Sequence, residues 1–355
     1  MTQPASMPKR SSTARPHYIN GRILLREPGG VRRSAREVVH HMPSATVLTP
    51  PSARFAWSGR VWEQTVLGRQ SADGVLLNMA HGGPTGHPRQ VNVIQDLIAL
   101  SHPDSVHPAF AALMRRQLPR LVAEAKVLVA ISRHVADQIR TRFGSCADRI
   151  EVVPPGISDV FVPGARSEAA SQLGLDPNRP VVTALLDPTP RKRSRQVALT
   201  LCALQQRRPE VQVVVAGRQR HPRFGRVGGD PDPAPRSTFV DLGDADDAQL
   251  ARMYQASDVF LSLTTAEGFG LPAVEALRCA SAVVSTPVPS LVEHVPDAAV
   301  LIEHQRQAIG EVEKLLDSPG RRRDLVATGT EALDGLRWAR TAHALGSFMA
   351  EVEEL

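Results

Sequence analysis

Two glutamates eight positions apart, Glu267 and Glu275, enclose a Gly-Phe-Gly turn and a proline in the stretch "AEGFGLPAVEA" (266–276). The preceding "DVFLSL" (258–263) has the apolar run of a strand, and "LPAVEALR" starts a helix with Pro272 well placed at the first helical position. A helix start presents unpaired N–H groups and the positive end of the helix dipole, and Gly268 and Gly270 leave that backbone bare to an approaching anion. A carboxylate does not bind phosphate, but Glu275 one turn into the helix and Glu267 on the loop can each accept hydrogen bonds from sugar hydroxyls. Bonds to a charged acceptor contribute about 1.5–3 kcal/mol each. Acids that only complement the dipole contribute about 0.3–1 kcal/mol, and such a cap needs neither glycine, which favours the binding site.

Three further groupings carry polar chemistry. "DPTPRKRSRQ" (187–196) follows an apolar run and precedes a helical pattern, so Arg191 and Lys192 stand at a strand's carboxyl end, where either can pair with a diphosphate. Alone it reads as a solvated basic loop; beside an anion site in the same domain, the functional reading gains. "REPGGVRR" (26–33) reads as strand, Gly29-Gly30 turn and helix, a second anion or sugar site in the other domain, although most Gly-Gly pairs are only turns. "VIQDLIALSHPD" (93–104) puts Asp96 at a strand end near His102, and "NMAHGGP" puts His81 at another; an isolated Asp of this kind is more often a cap than a catalyst.

These groups need strands and helices to hold them. "RILL" (22–25), "GVLLNM" (74–79), "QVNVIQDL" (90–97), "KVLVAIS" (126–132) and "RIEVVPPGI" (149–157) read as strands. "VRRSAREVVHHM" places Val31, Ala35, Val38, Val39 and Met42 on one helical face, and "AFAALMRRQLPRLVAEA" (109–125) reads as a helix despite Pro119. After a Pro/Gly-containing connector, "VVTALL" (181–186), "VQVVVAG" (211–217), "TFVDLG" (238–243), "DVFLSL" and "AVVST" (282–286) continue the strands, with "SRQVALTLCALQQR" (194–207) a helix. "RQRHPRFGRVGGDPDPAPRS" is a polar loop long enough to be functional or disordered. Strands alternating with helices imply parallel sheets, and two such series imply two doubly wound α/β domains with ligands at the strands' carboxyl ends and in the cleft between. The expected division is a tail at 1–17, a first domain at 18–165, a second at 166–336, and a helix at 337–355 returning to the first.

The bulk numbers agree with that plan. At 355 residues the chain exceeds the usual single core. It is 42% hydrophobic and 22% charged, as soluble proteins are, and only 4% aromatic, which argues against a stacking platform for nucleic acid. Cys146, Cys202 and Cys279 are far apart, so no zinc or disulfide framework is indicated and a reducing compartment suits them. The net charge of +6 favours anionic partners such as nucleotides or phospholipid headgroups, or else marks an Arg-rich solvated surface. The polar first residues are no secretory signal, and no run of about 18 apolar residues offers a membrane span. The expected location is cytoplasmic, with peripheral contact at the inner membrane face left open.

The same residues resemble a known family, the retaining glycosyltransferases of family 4, which have the GT-B fold. Glu267 to Glu275 matches the family's Glu-(seven residues)-Glu motif; "PRKR" is similar to its "PRKN"; "VLVAISRHVADQIRTRFG" with "RIEVVPPGI" matches the end of its N-terminal domain; "YINGRILLREPGGVRRSAREVV" resembles the start of bacterial polysaccharide members. The likeness covers about residues 18 to 305. It implies two Rossmann-like domains facing across a cleft that holds a nucleotide-diphosphate sugar, GDP- or UDP-linked, with no metal and no cofactor. Glu275 would hold the donor ribose; Glu267, with Gly268, Phe269, Gly270 and Leu271, the donor sugar; Lys192 or Arg191 would neutralise the leaving diphosphate. Gly29, Gly30 and Arg218 would complete the donor site, Asp96 would join Lys192, Arg191 and Glu267 as a catalytic residue, and His81 and Gln95 would stand on the acceptor side. No protein nucleophile is required.

The sequence departs from the family at Gln95, where a His is usual, at Ala184 and Ser281, where Gly is usual, and at Pro155, where Asn is common. Its basic loop is one residue longer, so Arg191 and Lys192 compete for one role. The leading expectation is transfer of a hexose, with mannose from GDP-mannose preferred by analogy, to a saccharide or lipid-linked acceptor. The alternatives are a sugar-nucleotide epimerase or hydrolase on the same fold, and a non-catalytic sugar-nucleotide-binding or scaffold protein.

Overall fold

The computed structural model describes residues 14–25, 29–51, 58–144, 149–217 and 238–355, and Arg218, Cys146 and the long polar loop lie outside them. Its strands form two six-stranded sheets in which all neighbours run parallel. The first contains β1 (His17–Asn20), β2 (Thr46–Leu48), β3 (Val75–Asn78), β4 (Gln90–Ile94), β5 (Val127–Ala130) and β6 (Ile150–Val152), in the order β2-β1-β3-β4-β5-β6. The second contains β7 (Val181–Leu185), β8 (Gln212–Ala216), β9 (Val240–Asp241), β10 (Val259–Ser262), β11 (Ala282–Ser285) and β12 (Ala299–Leu301), in the order β12-β11-β10-β7-β8-β9. The fold is α/β, two doubly wound sheets of the GT-B kind.

The physical cause is legible in the strands. β3, β4, β5 and β11 are buried at every position, which a sheet covered on both faces by helices requires and an amphipathic strand does not meet. In the second sheet β7 and β10 are neighbours although 73 residues separate Leu185 and Asp258. The two strands are parallel, but the order in which strands are added reverses between them, so the connections leaving their carboxyl ends run to opposite sides and open a crevice.

Several local readings change. "RILL" is not a strand: Gly21–Leu25 is a 3-10 helix, and the strand ends one step earlier at Asn20. The Asn20 side chain accepts the Arg22 N–H at 3.2 Å and turns the chain, while the Arg22 side chain is drawn into a buried ion pair with Glu63. β2 and β12, absent from the sequence reading, are three-residue edge strands too short to show a period. The Pro108–Glu124 helix keeps Pro119 on its exposed face, away from the core positions Met114, Leu118 and Leu121. In the Gly30–His41 helix Ala35, Val38 and the following Met42 are buried, Val31 and Val39 only partly.

The Trp338–Glu354 helix packs on the first sheet's β3 and β4 and on the Gly30–His41 helix. It buries Trp338, Ala342, Leu345, Met349 and Val352 there. Ile157 N–H donates to Leu336 O at 3.0 Å and Thr341 Oγ1 to Pro154 O at 2.8 Å, so the chain's end is tied beside β6. Gly156 permits that contact, since a Cβ there would lie 2.1 Å from the Trp338 nitrogen. Among the described residues no helix is long and apolar enough to cross a membrane.

Candidate active site

A cleft of about 860 Å³ lies between the two sheets and collects residues from both. Its second-sheet wall is the switch point itself: the turn after β7 supplies Arg191 and Lys192, and the loop after β10 supplies Thr264 to Gly270. The facing wall is built by Gly29, Gly30 and Arg33 at the start of the Gly30–His41 helix, and by Gln95 and Asp96 after β4.

Glu267 is the electrostatic centre of the second-sheet wall. Lys192 Nζ bonds its Oε1, Arg191 Nη1 stands 3.1 Å from its Oε2, and Thr264 Oγ1 donates to Oε1 at 3.0 Å. Burial alone would push this carboxyl up. The Lys192 ammonium and the Arg191 guanidinium, with hydrogen bonds from Lys192 and Thr264, outweigh burial and hold Glu267 below the usual carboxylate range. The two basic candidates that compete in the sequence are therefore both present. They differ in their second contacts: Arg191 Nη1 also donates to Ala266 O at 2.8 Å, tying the two loops together, while Lys192 has no such tether in the described structure. Pro190–Lys192 is one turn of 3-10 helix, closed by Arg193 in the left-handed region at φ 49°.

Glu275 lies inside the Leu271–Arg278 helix, whose N-cap is Gly270 at φ 92°, a conformation that suits glycine. Pro272 takes the second helical position. The Glu275 side chain is 3% exposed and bonds Arg33 Nη1 from the opposite wall. Burial pushes its carboxyl up, Arg33 pulls it down, and Asp247 pushes it up again, with the net shift upward. The two glutamates of the motif thus sit in opposite electrostatic environments, one held charged by two cations and one pressed toward its neutral form.

Gly268 has a role that the sequence reading did not give it. A Cβ there would lie 2.0 Å from the Gln95 carbonyl oxygen, so the two halves touch backbone to backbone at this point. Ser132 Oγ, which also caps the Arg133–Phe143 helix through Val135 N–H at 3.2 Å, donates to Gly268 O at 2.9 Å. The Glu293 carboxylate accepts the N–H groups of Arg133 and His134 at 2.9 and 3.2 Å, capping that first-half helix from the second half. Phe269 packs on the His294 ring at 4.4 Å between centroids. Gly29 and Gly30 face the start of the Leu271–Arg278 helix, where a Cβ on Gly30 would meet Leu271 Cδ1 at 3.8 Å.

On the first-sheet side, Asp96 is not paired with His102, whose Nδ1 lies 3.0 Å from Ser101 Oγ. Asp96 Oδ1 accepts Ile98 N–H at 2.9 Å, and its Oδ2 is 3.9 Å from His81 Nε2. His81 itself lies in the left-handed region at φ 49°. Burial lowers the His81 imidazole pKa, Asp96 raises it, and Arg60 and Arg22 lower it further; the net direction is down, toward a neutral ring. Those arginines flank Glu63, which is fully buried and also accepts Asn20 Nδ2 at 2.7 Å. Gln95 turns away from such chemistry: its Nε2 donates to Met79 O at 3.2 Å. Among the described residues no three His, Cys, Asp or Glu side chains converge on one point.

The sequence reading missed Arg33, Asp247, Thr264, Ser132 and Glu293. Thr264 stands three positions from Glu267, on the same loop and within local reach, whereas the other four pair between the two halves over 136 positions or more, beyond any spacing rule.

Two family models match the chain: "Glycosyltransferase Family 4" over residues 22–160 and "Glycosyl transferases group 1" over residues 166–332. The two matches, one in each half of the chain, support a glycosyltransferase of the family 4 type. It is 30% identical over 240 residues to a D-inositol 3-phosphate glycosyltransferase of Segniliparus rotundus, covering 64% of this chain and 52% of that one. It is 28% identical over 277 residues to the protein of the same name from Rhodococcus jostii, covering 74% and 60%. The chain thus spans between half and three fifths of the length of these curated relatives. Among solved structures it is similar to Anabaena HepE in complex with UDP-glucose, at TM-score 0.70 and 13% identity, covering 96% of this chain and all of that one. It is also similar to sucrose-phosphate synthase from Thermosynechococcus elongatus, at TM-score 0.68 and 16% identity, covering 94% and 98%. At these identities the structural likeness concerns the fold.

Proposed function

We propose that this glycosyltransferase moves a hexose from a nucleotide-diphosphate sugar bound in the cleft to a hydroxyl acceptor, with retention at the anomeric carbon. The observation that carries the proposal is the pairing of Lys192 and Arg191 on Glu267 at the switch point of the second sheet. Two cations held there in advance are placed to meet the negative charge that grows on a departing diphosphate, and preorganised charge of this kind supplies much of an enzyme's rate. When the donor enters, its diphosphate competes with Glu267 for these cations, and the freed carboxylate oxygens accept hydroxyls of the transferred sugar. Glu275 takes the ribose hydroxyls. The bond from the anomeric carbon to the diphosphate oxygen breaks, the bond to the acceptor oxygen forms on the same face, and the acceptor proton leaves with the diphosphate.

The HepE complex makes a UDP-linked donor the first to test, ahead of GDP-mannose. The names of the curated relatives make a phosphorylated cyclitol the first acceptor, ahead of saccharide or lipid-linked ones. The test is a thermal-shift screen of UDP- and GDP-sugars, followed by incubation of the hit with D-inositol 3-phosphate and simple glycosides. A ligand at one hundred times its Kd adds about 2.7 kcal/mol of stability. Mass and proton spectra should show a glycoside with the donor's anomeric configuration. Free sugar or an epimerised donor with no transfer would favour the hydrolase or epimerase alternative, and no shift with any nucleotide sugar would reject the donor site.

A further inference from the structure

One ion-pair cluster in the cleft joins the second glutamate of the motif to an arginine that no motif contains. Arg33, the fourth residue of the Gly30–His41 helix, reaches across to two helices of the second half at once: Nη1 bonds Glu275 Oε1 on the Leu271–Arg278 helix, and Nη2 lies 2.5 Å from Asp247 Oδ1 on the Asp247–Ala256 helix. The guanidinium stands over the Phe161 ring, 5.3 Å from its centroid, so its plane is supported as well as its tip. Among the described residues Arg33 is the one hydrogen-bond partner of the Glu275 carboxylate, and it occupies one oxygen of two.

We propose that Arg33 is a positioning residue for the nucleotide: from the first half it fixes the Glu275 carboxylate and leaves the second oxygen, Oε2, for a ribose hydroxyl. The inference rests on the donor reading given above and adds to it a dependence of the second half's nucleotide site on a residue of the first. The charges around Glu275 show why such a residue is needed. Asp247 and the buried Tyr254 phenol face it from the Asp247–Ala256 helix, Cys279 from the end of its own helix, Lys192 from the turn after β7, and Arg33 from across the cleft. Burial and Asp247 favour the protonated carboxyl, and Arg33 is the largest influence opposing them. Without Arg33 the balance moves further toward the protonated carboxyl, and the hydrogen bond that orients it is gone.

The test is calorimetric titration of UDP and of GDP from pH 6 to 9 into the wild type, Arg33→Ala, Arg33→Lys and Glu275→Gln, with thermal unfolding as a check on folding. Arg33→Ala should bind the preferred nucleotide about tenfold more weakly at pH 6.5, the size of one hydrogen bond to a charged acceptor. Its affinity should recover toward wild type as the pH rises, because burial and Asp247 push the Glu275 carboxyl up and Arg33 opposes them. Arg33→Lys keeps the charge and should stay within about threefold of wild type by the same reasoning. Adding Asp247→Asn to Arg33→Ala should move the recovery to lower pH. Wild-type affinity in Arg33→Ala, or an equal loss at every pH, beside a weakened Glu275→Gln, overturns the proposal alone. Wild-type binding by Glu275→Gln removes the donor reading, and the proposal with it.

Discussion

Gly268→Ala isolates the contact between the two halves. The backbone of Gly268 is not in the left-handed region, so alanine suits its conformation and the perturbation is purely one of space. The added Cβ would lie 2.0 Å from the Gln95 carbonyl oxygen, and a tolerable contact begins near 3.0 Å, so the halves must part by 3.0 − 2.0 = 1.0 Å at least. Neither atom is the end of a flexible side chain that could swing away. The displacement falls beside Ser132 Oγ, which holds Gly268 O, and between the Lys192–Glu267 pair and the His81–Asp96 pair. A misplacement of about 1 Å between reacting groups costs about 100-fold in rate, and overpacking costs about 1–3 kcal/mol in stability. Turnover with the donor and acceptor found by the screen should therefore fall about 100-fold. UDP affinity should fall less, by at most the about tenfold expected when the Arg33–Glu275 contact is lost, since Glu275 and Lys192 keep their places relative to each other on the second half. Turnover within about threefold of wild type in a folded Gly268→Ala protein, or a UDP affinity that falls as far as turnover does, would refute the reasoning.

Lys192→Ala should lower turnover by about 10²–10³-fold, the cost of removing one preorganised charge from a developing anion, while Glu267 keeps Arg191 and Thr264 and the protein stays folded; steady-state kinetics with circular dichroism decides it. Glu293→Ala removes the cap that the second half gives the Arg133–Phe143 helix, and should cost about 1 kcal/mol and speed amide exchange at Arg133 and His134. His81 and His294 both have imidazole pKa values held below the ordinary 6.5 by burial. The folded state then binds fewer protons than the unfolded one, so their contribution to stability is full above the unfolded value and is lost as pH falls through 6.5 toward the folded values. The thermal midpoint should drop between pH 7.5 and pH 5.5, and a His294→Gln, His81→Gln double variant should show a shallower drop.

Much of the architecture was present in local sequence. Uninterrupted Val-rich runs can only be strands buried on both faces, and "SRQVALTLCALQQR" is the Ser194–Arg207 helix to the residue. The runs of one or two turns were less legible: "RILL" is apolar enough for a strand, yet the Arg22 N–H donates to the Asn20 side chain, its guanidinium pairs with buried Glu63, and the segment coils into a 3-10 turn.

The sequence by itself determined which groups stand at strand ends, because period and breaker residues are local: Lys192 and Arg191 after β7, Glu267 to Gly270 after β10. Tertiary structure alone decided what these groups face. Parallel crossover wiring made β7 and β10 neighbours, which put both cations on one carboxylate. Closure of two separately built sheets brought Arg33 onto Glu275, 242 positions away, and laid the Gln95 carbonyl against Gly268. The physical reason is that strand and helix propensities act over a few residues, whereas the charge state of a buried acid is set by whatever the fold packs against it.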